Sequence, residues 1–356
     1  MSGLHFQTLR VARVSADTDD ARIVAFELPP ALREQFAFQP GQYLTLRRVI
    51  DGEDLRRSYS ICDDGELRVG VRRVTGGRFS QWLHTSLRAG DEIEVLAPQG
   101  RFVVPPDAGP HLLCVAGGSG ITPMMAILKS TLAREPSARA TLVYGNRRVA
   151  TTMFKEELED LKNRYLARLA IVRLLSREAA GDSELLTGRL DAAKMSALLA
   201  SGLVRIGGET HAFVCGPADM NDEVASALAR AGLPETHIHI ERFGVPDTRD
   251  DAHLHDAKPG DAEGAQLIVQ RDGRSHELVF TPGTPSILDA AAAAGIDVPY
   301  SCKSGVCATC RAKLLEGRVR LDRNFALDQG ELDAGFVLTC QAHPLTKRVV
   351  VSYDER

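Results

Sequence analysis

Cys302-Lys303-Ser304-Gly305-Val306-Cys307-Ala308-Thr309-Cys310 is followed, after twenty-nine intervening residues, by Cys340. The spacing is C-x4-C-x2-C…C, the plant-type arrangement for a [2Fe–2S] cluster. Four thiolates are needed because each tetrahedral iron takes two bridging sulfides and two protein sulfurs. Ser304-Gly305 lets backbone N–H groups approach the sulfurs and stabilise their negative charge. Two other readings compete. A zinc ribbon usually brings two C-x2-C knuckles, whereas Cys340 stands alone. A C-x-x-C redox pair needs a βαβ setting, which Cys307 and Cys310 lack.

Outward from this loop, residues 265–356 open with strands at Gln266–Arg271 and His276–Phe280, joined at Asp272-Gly273. A helix is expected at Ser286–Ala294 and a last strand at Arg348–Tyr353. Residues 244–264, with Pro246, Asp250-Asp251 and Pro259-Gly260-Asp261, are polar and lack hydrophobic periodicity, so they read as a linker. Residues 107–243 alternate strands (His111–Ala116, Ala140–Tyr144, Leu169–Leu175, His211–Cys215, Ile238–Phe243) with helices (Pro123–Ala133, Met153–Tyr165, Asp191–Leu199, Ala218–Ala231). That alternation implies a parallel sheet covered on both faces. Residues 1–106 carry short strands at Phe6–Ser15, Arg22–Leu28, Tyr43–Ile50, Glu66–Val74 and Glu92–Leu96, with one helix near Ser80–Leu87. Their spacing implies an antiparallel barrel or sandwich. The expected fold is thus multidomain: β, then α/β, then α+β.

With 356 residues, two or three domains are expected. Forty-three basic and forty-seven acidic residues leave no basic excess to hold nucleic acid and give no reason to expect an anionic membrane as partner. The N-terminus lacks a basic region followed by an apolar core, and no apolar run approaches membrane-spanning length. A cytoplasmic protein is expected. Of seven cysteines, four crowd into the last quarter, which in a reducing compartment favours metal binding over disulfides. Cys62 and Cys114 read as small core residues.

Two further sites follow from local chemistry. Gly117-Gly118-Ser119-Gly120-Ile121-Thr122-Pro123 leaves a strand and opens a helix, where glycines admit a pyrophosphate to backbone N–H groups. Cys215-Gly216-Pro217 ends a later strand, at the edge where ligands of open α/β sheets bind. In the first segment, Arg57-Ser58-Tyr59-Ser60 offers a cation for a phosphate and a ring for a flat cofactor. Gly76-Gly77-Arg78-Phe79-Ser80 leads into the helix and offers its N-terminus and a hydroxyl to a pyrophosphate.

In this order the motifs resemble the ferredoxin–NADP reductase superfamily, in the version with a C-terminal ferredoxin domain. The resemblance covers the whole chain. It implies a flavin-binding β-barrel (1–106), a Rossmann-like nucleotide domain (107–243), a linker (244–264) and a β-grasp ferredoxin domain (265–356). It places Arg57 at the flavin phosphate, Tyr59 on the isoalloxazine and Ser60 near its reactive edge, with Ser58 in the same motif. Val71 and Arg72 fall where the next strand touches the flavin, and Gly77, Arg78, Phe79 and Ser80 in the phosphate-binding turn. Gly118, Ser119, Gly120, Thr122 and Pro123 match the pyridine-nucleotide loop, and Cys215, Gly216 and Pro217 the nicotinamide side. Glu241-Arg242-Phe243 matches the end of the reductase module, where Phe243 is the aromatic expected near the flavin. Tyr59, Ser60, Cys215 and Phe243 are the expected catalytic set, and Cys302, Cys307, Cys310 and Cys340 the cluster ligands.

Within the superfamily the motifs are most similar to the reductase components of phenylacetyl-CoA epoxidases, on Arg56–Cys62, Gly76–Trp82, Tyr144–Arg147, Gly305–Arg311 and Val337–Gln341. This implies electron flow from a nicotinamide through a flavin and the cluster to a separate oxygenase. The resemblance implies FAD over FMN, because Gly76–Ser80 leads into a helix as in the FAD-binding branch of the superfamily. NADPH is expected because Asn146-Arg147-Arg148 and Ser176-Arg177 follow successive strands, where cations and hydroxyls meet a 2′-phosphate. Residues 264–356 hold eleven acidic and eleven basic residues, unlike the acidic free ferredoxins. A fused ferredoxin needs no long-range steering to reach its reductase. The competing functions are the same electron chain serving a Rieske-type or steroid oxygenase, and a zinc-holding interaction protein. The colour of the purified protein separates the last from the others.

Overall fold

The computed structural model describes residues 4–179, 183–244 and 254–355. They divide into two compact units, one running from Gln7 to Phe243 and one holding Gly244 onward together with the N-terminal residues through Phe6. Pro246, Asp250 and Asp251 of the expected linker lie outside the described residues. No helix among the described residues is long and apolar enough to cross a membrane.

The larger unit opens with β1 (Phe6–Thr18), β2 (Ala21–Glu27), β3 (Tyr43–Ile50), β4 (Glu53–Ser60), β5 (Arg68–Arg72), α1 (Arg78–Thr85) and β6 (Glu92–Gln99). The strands form one curled antiparallel sheet, ordered β4-β3-β6-β1-β2-β5. Its two edges meet where Ile61 bridges Val69. Asp51 and Gly52 both take positive φ, 53° and 78°, as a two-residue hairpin between β3 and β4 requires. That hairpin sets β4 in register with β3 and so aims Arg57–Ser60. Leu44, Leu46, Val69, Val71, Phe79 and Leu83 fill the interior.

The second sheet is parallel, ordered β11-β10-β7-β8-β9. Its strands are β7 (His111–Gly117), β8 (Arg139–Asn146), β9 (Leu169–Leu175), β10 (Thr210–Cys215) and β11 (Ile238–Glu241). Its helices are α2 (Ile121–Arg134), α3 (Lys155–Arg164), α4 (Ala192–Ala200) and α5 (Ala218–Arg230). Successive residues of β7 serve opposite faces: Leu112, Cys114 and Ala116 pack with α2 and α3, while Leu113 and Val115 pack with α4 and α5. Helix α3 begins later than the sequence pattern predicts. Phe154 takes φ 56°, and its N–H is accepted by both carboxylate oxygens of Asp17 at 3.1 Å, so a barrel residue pins the position that precedes the helix.

The smaller unit contains β12 (Ala265–Arg271), β13 (Arg274–Phe280), α6 (Ile287–Ala293), β14 (Arg311–Glu316), β15 (Val319–Leu321), α7 (Gln329–Asp333), β16 (Phe336–Leu338), β17 (Ala342–Pro344) and β18 (Arg348–Ser352). The main sheet is mixed, ordered β13-β12-β18-β14-β16, with β12 parallel to β18. Helix α6 packs Ile287, Leu288 and Ala291 into its core. Residues 255–262, expected as linker, are part of this unit. The Ala262 N–H bonds the Pro344 carbonyl at 2.8 Å, and Asp261 pairs with Arg320 at 2.7 Å. Polarity alone conceals this, because the stretch is held by ion pairs and backbone bonds rather than by an apolar face.

Candidate functional site

In the smaller unit, the four cysteines form two pairs. The thiols of Cys302 and Cys307 are hydrogen-bonded to one another, as are those of Cys310 and Cys340. The loop reaches this arrangement through three left-handed residues, Lys303 (φ 53°), Gly305 (φ 77°) and Ala308 (φ 54°). A Cβ at Gly305 would lie 3.1 Å from the Arg323 carbonyl, which accounts for glycine there. The Cys307 thiol and the amides of Ser304 and Val306 converge on the Cys302 sulfur and lower its pKa against the opposing effect of burial. The Gln341 amide lies 3.7 Å from the Cys340 sulfur. Two pairs of sulfurs surrounded by amide donors fit a [2Fe–2S] cluster, one pair to each iron. Cys310 and Cys340 are each 2% exposed, whereas Cys302 and Cys307 lie nearer the surface. Phe325 stands exposed beside the loop, its N–H bonded to the Gly305 carbonyl at 3.0 Å.

In the larger unit, Ser60, Cys215 and Glu241 come together. Cys215 ends β10, and Glu241, its parallel partner, ends β11. The Ser60 hydroxyl, from the end of β4, donates to Glu241 Oε2 at 3.2 Å. Burial pushes the Glu241 carboxyl up to about 8, with the Ser60 bond opposing it. Burial, then the Glu241 charge, pushes the Cys215 thiol up as well, so it stays neutral. The Glu241-Arg242-Phe243 motif singles out Phe243 for the catalytic set and assigns Glu241 no role of its own. Phe243 is 46% exposed, beyond the end of β11. The readable signal for Glu241 is its place at the same sheet edge as Cys215.

Tyr59 packs against Phe79, centroids 6.1 Å apart, and Phe79 against Trp82 at 5.7 Å. Phe79 is 2% exposed, so it supports Tyr59 from the core. Arg57 is exposed, and Ser58 bonds Thr45 at 3.1 Å. The Ser80 hydroxyl accepts from the Val74 N–H at 3.1 Å and donates to the Gly77 carbonyl at 3.0 Å, so it closes the turn. Arg78 is bound to the β3–β4 hairpin through Glu53, Asp51 and the Ile50 carbonyl. An exposed cation beside a buttressed tyrosine and a tight turn before a helix suit a flavin with its phosphates. Val71 is fully buried. The Arg72 guanidinium donates to the Thr151 carbonyl and lies over Gly118, tying the barrel to the nucleotide loops.

Gly118 takes φ 55°, and its carbonyl accepts from Tyr144 Oη at 3.0 Å. Thr122 donates to the Ser119 carbonyl at 3.0 Å at the start of α2, and Pro123 is buried. Gly120 has a different cause from the one its motif suggests. A Cβ there would lie 1.9 Å from the Cys215 carbonyl. A Cβ on Gly216 would meet Met220 Cε at 2.4 Å. These glycines let two protein loops pack back to back, which brings Cys215-Gly216-Pro217 beside the nucleotide loop. Asn146 is buried, and Arg147 and Arg177 are exposed. The pairing of β8 and β9 continues past the strands: the Ser176 N–H bonds the Asn146 carbonyl and the Arg177 N–H the Arg147 carbonyl, both at 2.9 Å. Glu178, the residue after Arg177, accepts from the Val149 N–H.

Three family models match the chain: an oxidoreductase FAD-binding domain over residues 8–104, an oxidoreductase NAD-binding domain over 114–226, and a 2Fe-2S iron-sulfur cluster binding domain over 269–345. A component of the 1,2-phenylacetyl-CoA epoxidase of Escherichia coli K12 is 45% identical, over 99% of this chain and 98% of its own. The ferredoxin reductase component of 3-ketosteroid-9-alpha-monooxygenase from Mycolicibacterium smegmatis is 37% identical, over 99% and 98%. The solved structure of phthalate dioxygenase reductase superposes with a TM-score of 0.61 over 98% of both chains at 24% identity, which shows a shared fold.

Proposed function

The chain belongs to the family of oxygenase reductase components that join FAD-, NAD- and [2Fe–2S]-binding domains, and from that premise we propose that it carries electrons from NADPH to a separate di-iron epoxidase acting on phenylacetyl-CoA. The observation that carries the choice of partner is the 45% identity, spread over nearly the whole of both chains. When bound, the nicotinamide supplies a hydride, the flavin divides its two electrons, and the cluster passes them on singly.

The residues divide this work. Arg57 holds the flavin phosphate, and Tyr59, backed by Phe79, packs on the flavin ring. Thr122 and Gly118 shape the loop for the nucleotide diphosphate. Arg147, Ser176 and Arg177 receive the 2′-phosphate at the ends of β8 and β9, which supports NADPH over NADH. Cys215 presents a small neutral thiol beside the nicotinamide. Glu241, kept protonated near neutral pH, orients the Ser60 hydroxyl and holds a proton at the reacting edge. Cys302 with Cys307, and Cys310 with Cys340, hold the two irons.

Reconstitution decides the partner. NADPH, this reductase, phenylacetyl-CoA and the epoxidase's catalytic components should give epoxide with coupled NADPH consumption. Faster coupled turnover with the oxygenase of a 3-ketosteroid monooxygenase overturns the assignment.

A further inference from the structure

His255, Asp322 and His343 converge in the smaller unit, a set that includes none of the four cysteines. His255 Nδ1 and His343 Nε2 each lie 2.8 Å from the same oxygen, Asp322 Oδ2. The three ligand atoms lie within 4.8 Å of one another. The Asp322 side chain is fully buried, that of His343 is 3% exposed and that of His255 is 28% exposed. The second carboxylate oxygen, Oδ1, takes Arg320 and, at 3.3 Å, Lys258.

Both oxygens of this carboxylate are partnered, Oδ2 by the two imidazoles and Oδ1 by Arg320 and Lys258. Arg320 is also paired with Asp261 through two bonds, of 3.0 and 2.7 Å, so it is shared between two carboxylates. Lys258, the other cation, has a side chain 49% exposed, where an ion pair contributes little. The buried carboxylate thus gathers two imidazoles on Oδ2 and two cations, Arg320 and Lys258, on Oδ1. Burying a carboxylate is costly unless it is well paired.

We propose that His255, Asp322 and His343 form a binding site for a borderline divalent metal ion of the Zn2+ class. Two imidazoles and one carboxylate oxygen are the donors such an ion prefers over magnesium or calcium. Each neutral imidazole moves its proton to the far ring nitrogen, and the metal takes the place of the two N–H donors on Oδ2. Arg320 on Oδ1 then acts as the outer hydrogen bond that orients a ligating carboxylate. A fourth position remains for water. Binding fastens residue 255, which precedes β12 by ten positions, to β17 through His343 and to the end of β15 through Asp322.

The test uses the full-length holoenzyme with flavin and cluster loaded, equilibrated by dialysis against Zn2+ alone, then assayed for zinc and iron by mass spectrometry. About one zinc for every two irons is expected. His255→Ala, a change at a partly exposed position, should weaken zinc binding by more than about a hundredfold, since even outer partners of metal ligands are worth 10–100-fold. Its flavin and cluster absorbance should stay unchanged. X-ray absorption at the zinc edge should show nitrogen and oxygen neighbours only. Zinc no higher in the native protein than in His255→Ala, or sulfur in the zinc shell, overturns the site.

Discussion

One carboxyl governs the expected pH behaviour of the larger unit. Glu241 rises to about 8 because burial penalises its charged form. A carboxyl raised in the folded state stabilises fully below its unfolded pKa, and that contribution is lost as pH rises through the folded value. The melting temperature should therefore fall between pH 5 and about 9, and Glu241→Gln should flatten that slope. Equal slopes in both proteins contradict the burial argument. The same variant keeps a partner for Ser60 yet cannot titrate, so the alkaline limb of NADPH-driven ferricyanide reduction should flatten too. Arg177 makes a separate residue-scale prediction. Arg177→Ala should raise KM for NADPH about tenfold, the size of one charged contact, and leave KM for NADH nearly unchanged. Native efficiency with NADH equal to that with NADPH counts against the 2′-phosphate reading.

Between elements, the decisive joints are polar or sterically tight. Arg68 on β5 bonds Asp63 at 2.8 Å and Glu157 of α3 at 2.6 Å, while Lys129 of α2 reaches the same two acids at 2.7 and 2.8 Å. Asp63 is lowered to about 2, its burial outweighed by bonds from Lys129 and two backbone amides. A depressed carboxylate stabilises above its unfolded pKa, and that share is lost as pH falls toward 2. Glu157→Gln should cost about 1–3 kcal/mol in urea unfolding, because Arg68 is left buried and underpaired. An unchanged midpoint shows that water replaces the lost partner. Gly120→Ala belongs to the same scale. Its methyl group must displace the Cys215 carbonyl, so about 1–3 kcal/mol of destabilisation is expected, with weakened nucleotide binding by titration.

Across the whole molecule, the FAD-binding and NAD-binding domains lie before Gly244 and the [2Fe–2S]-binding domain after it. Cys340→Ala removes one of four thiolates and should destroy the cluster. NADPH-driven reduction of ferricyanide should persist, and reduction of cytochrome c or of the oxygenase should collapse. Truncation after Phe243 should give the same division, although it removes Arg271 and Asp272, which bond the Leu4 carbonyl at 3.2 Å and His5 at 3.1 Å. Full oxygenase-coupled turnover in Cys340→Ala excludes the cluster from the electron path. Loss of flavin reduction in a folded variant contradicts the division of labour.

The amino-acid sequence by itself determined the cluster loop, the alternation of strands and helices in the middle segment, and the two motifs that aim at a flavin and a nucleotide. Cysteine spacing, period and glycine turns are local, and short-range sterics read them directly. The tertiary structure alone decided which distant groups meet. Glu241 lies 181 residues from Ser60, and its raised pKa arises only when β11 is laid beside β10 and the barrel closes over that edge. Gly120 carries a motif that suits a phosphate, yet the Cys215 carbonyl is what leaves no room for a side chain. Residues 255–262 look like linker until Arg320, Asp322 and His343 supply their partners. Burial, desolvation and close approach depend on atoms far apart along the chain, so no local pattern encodes them.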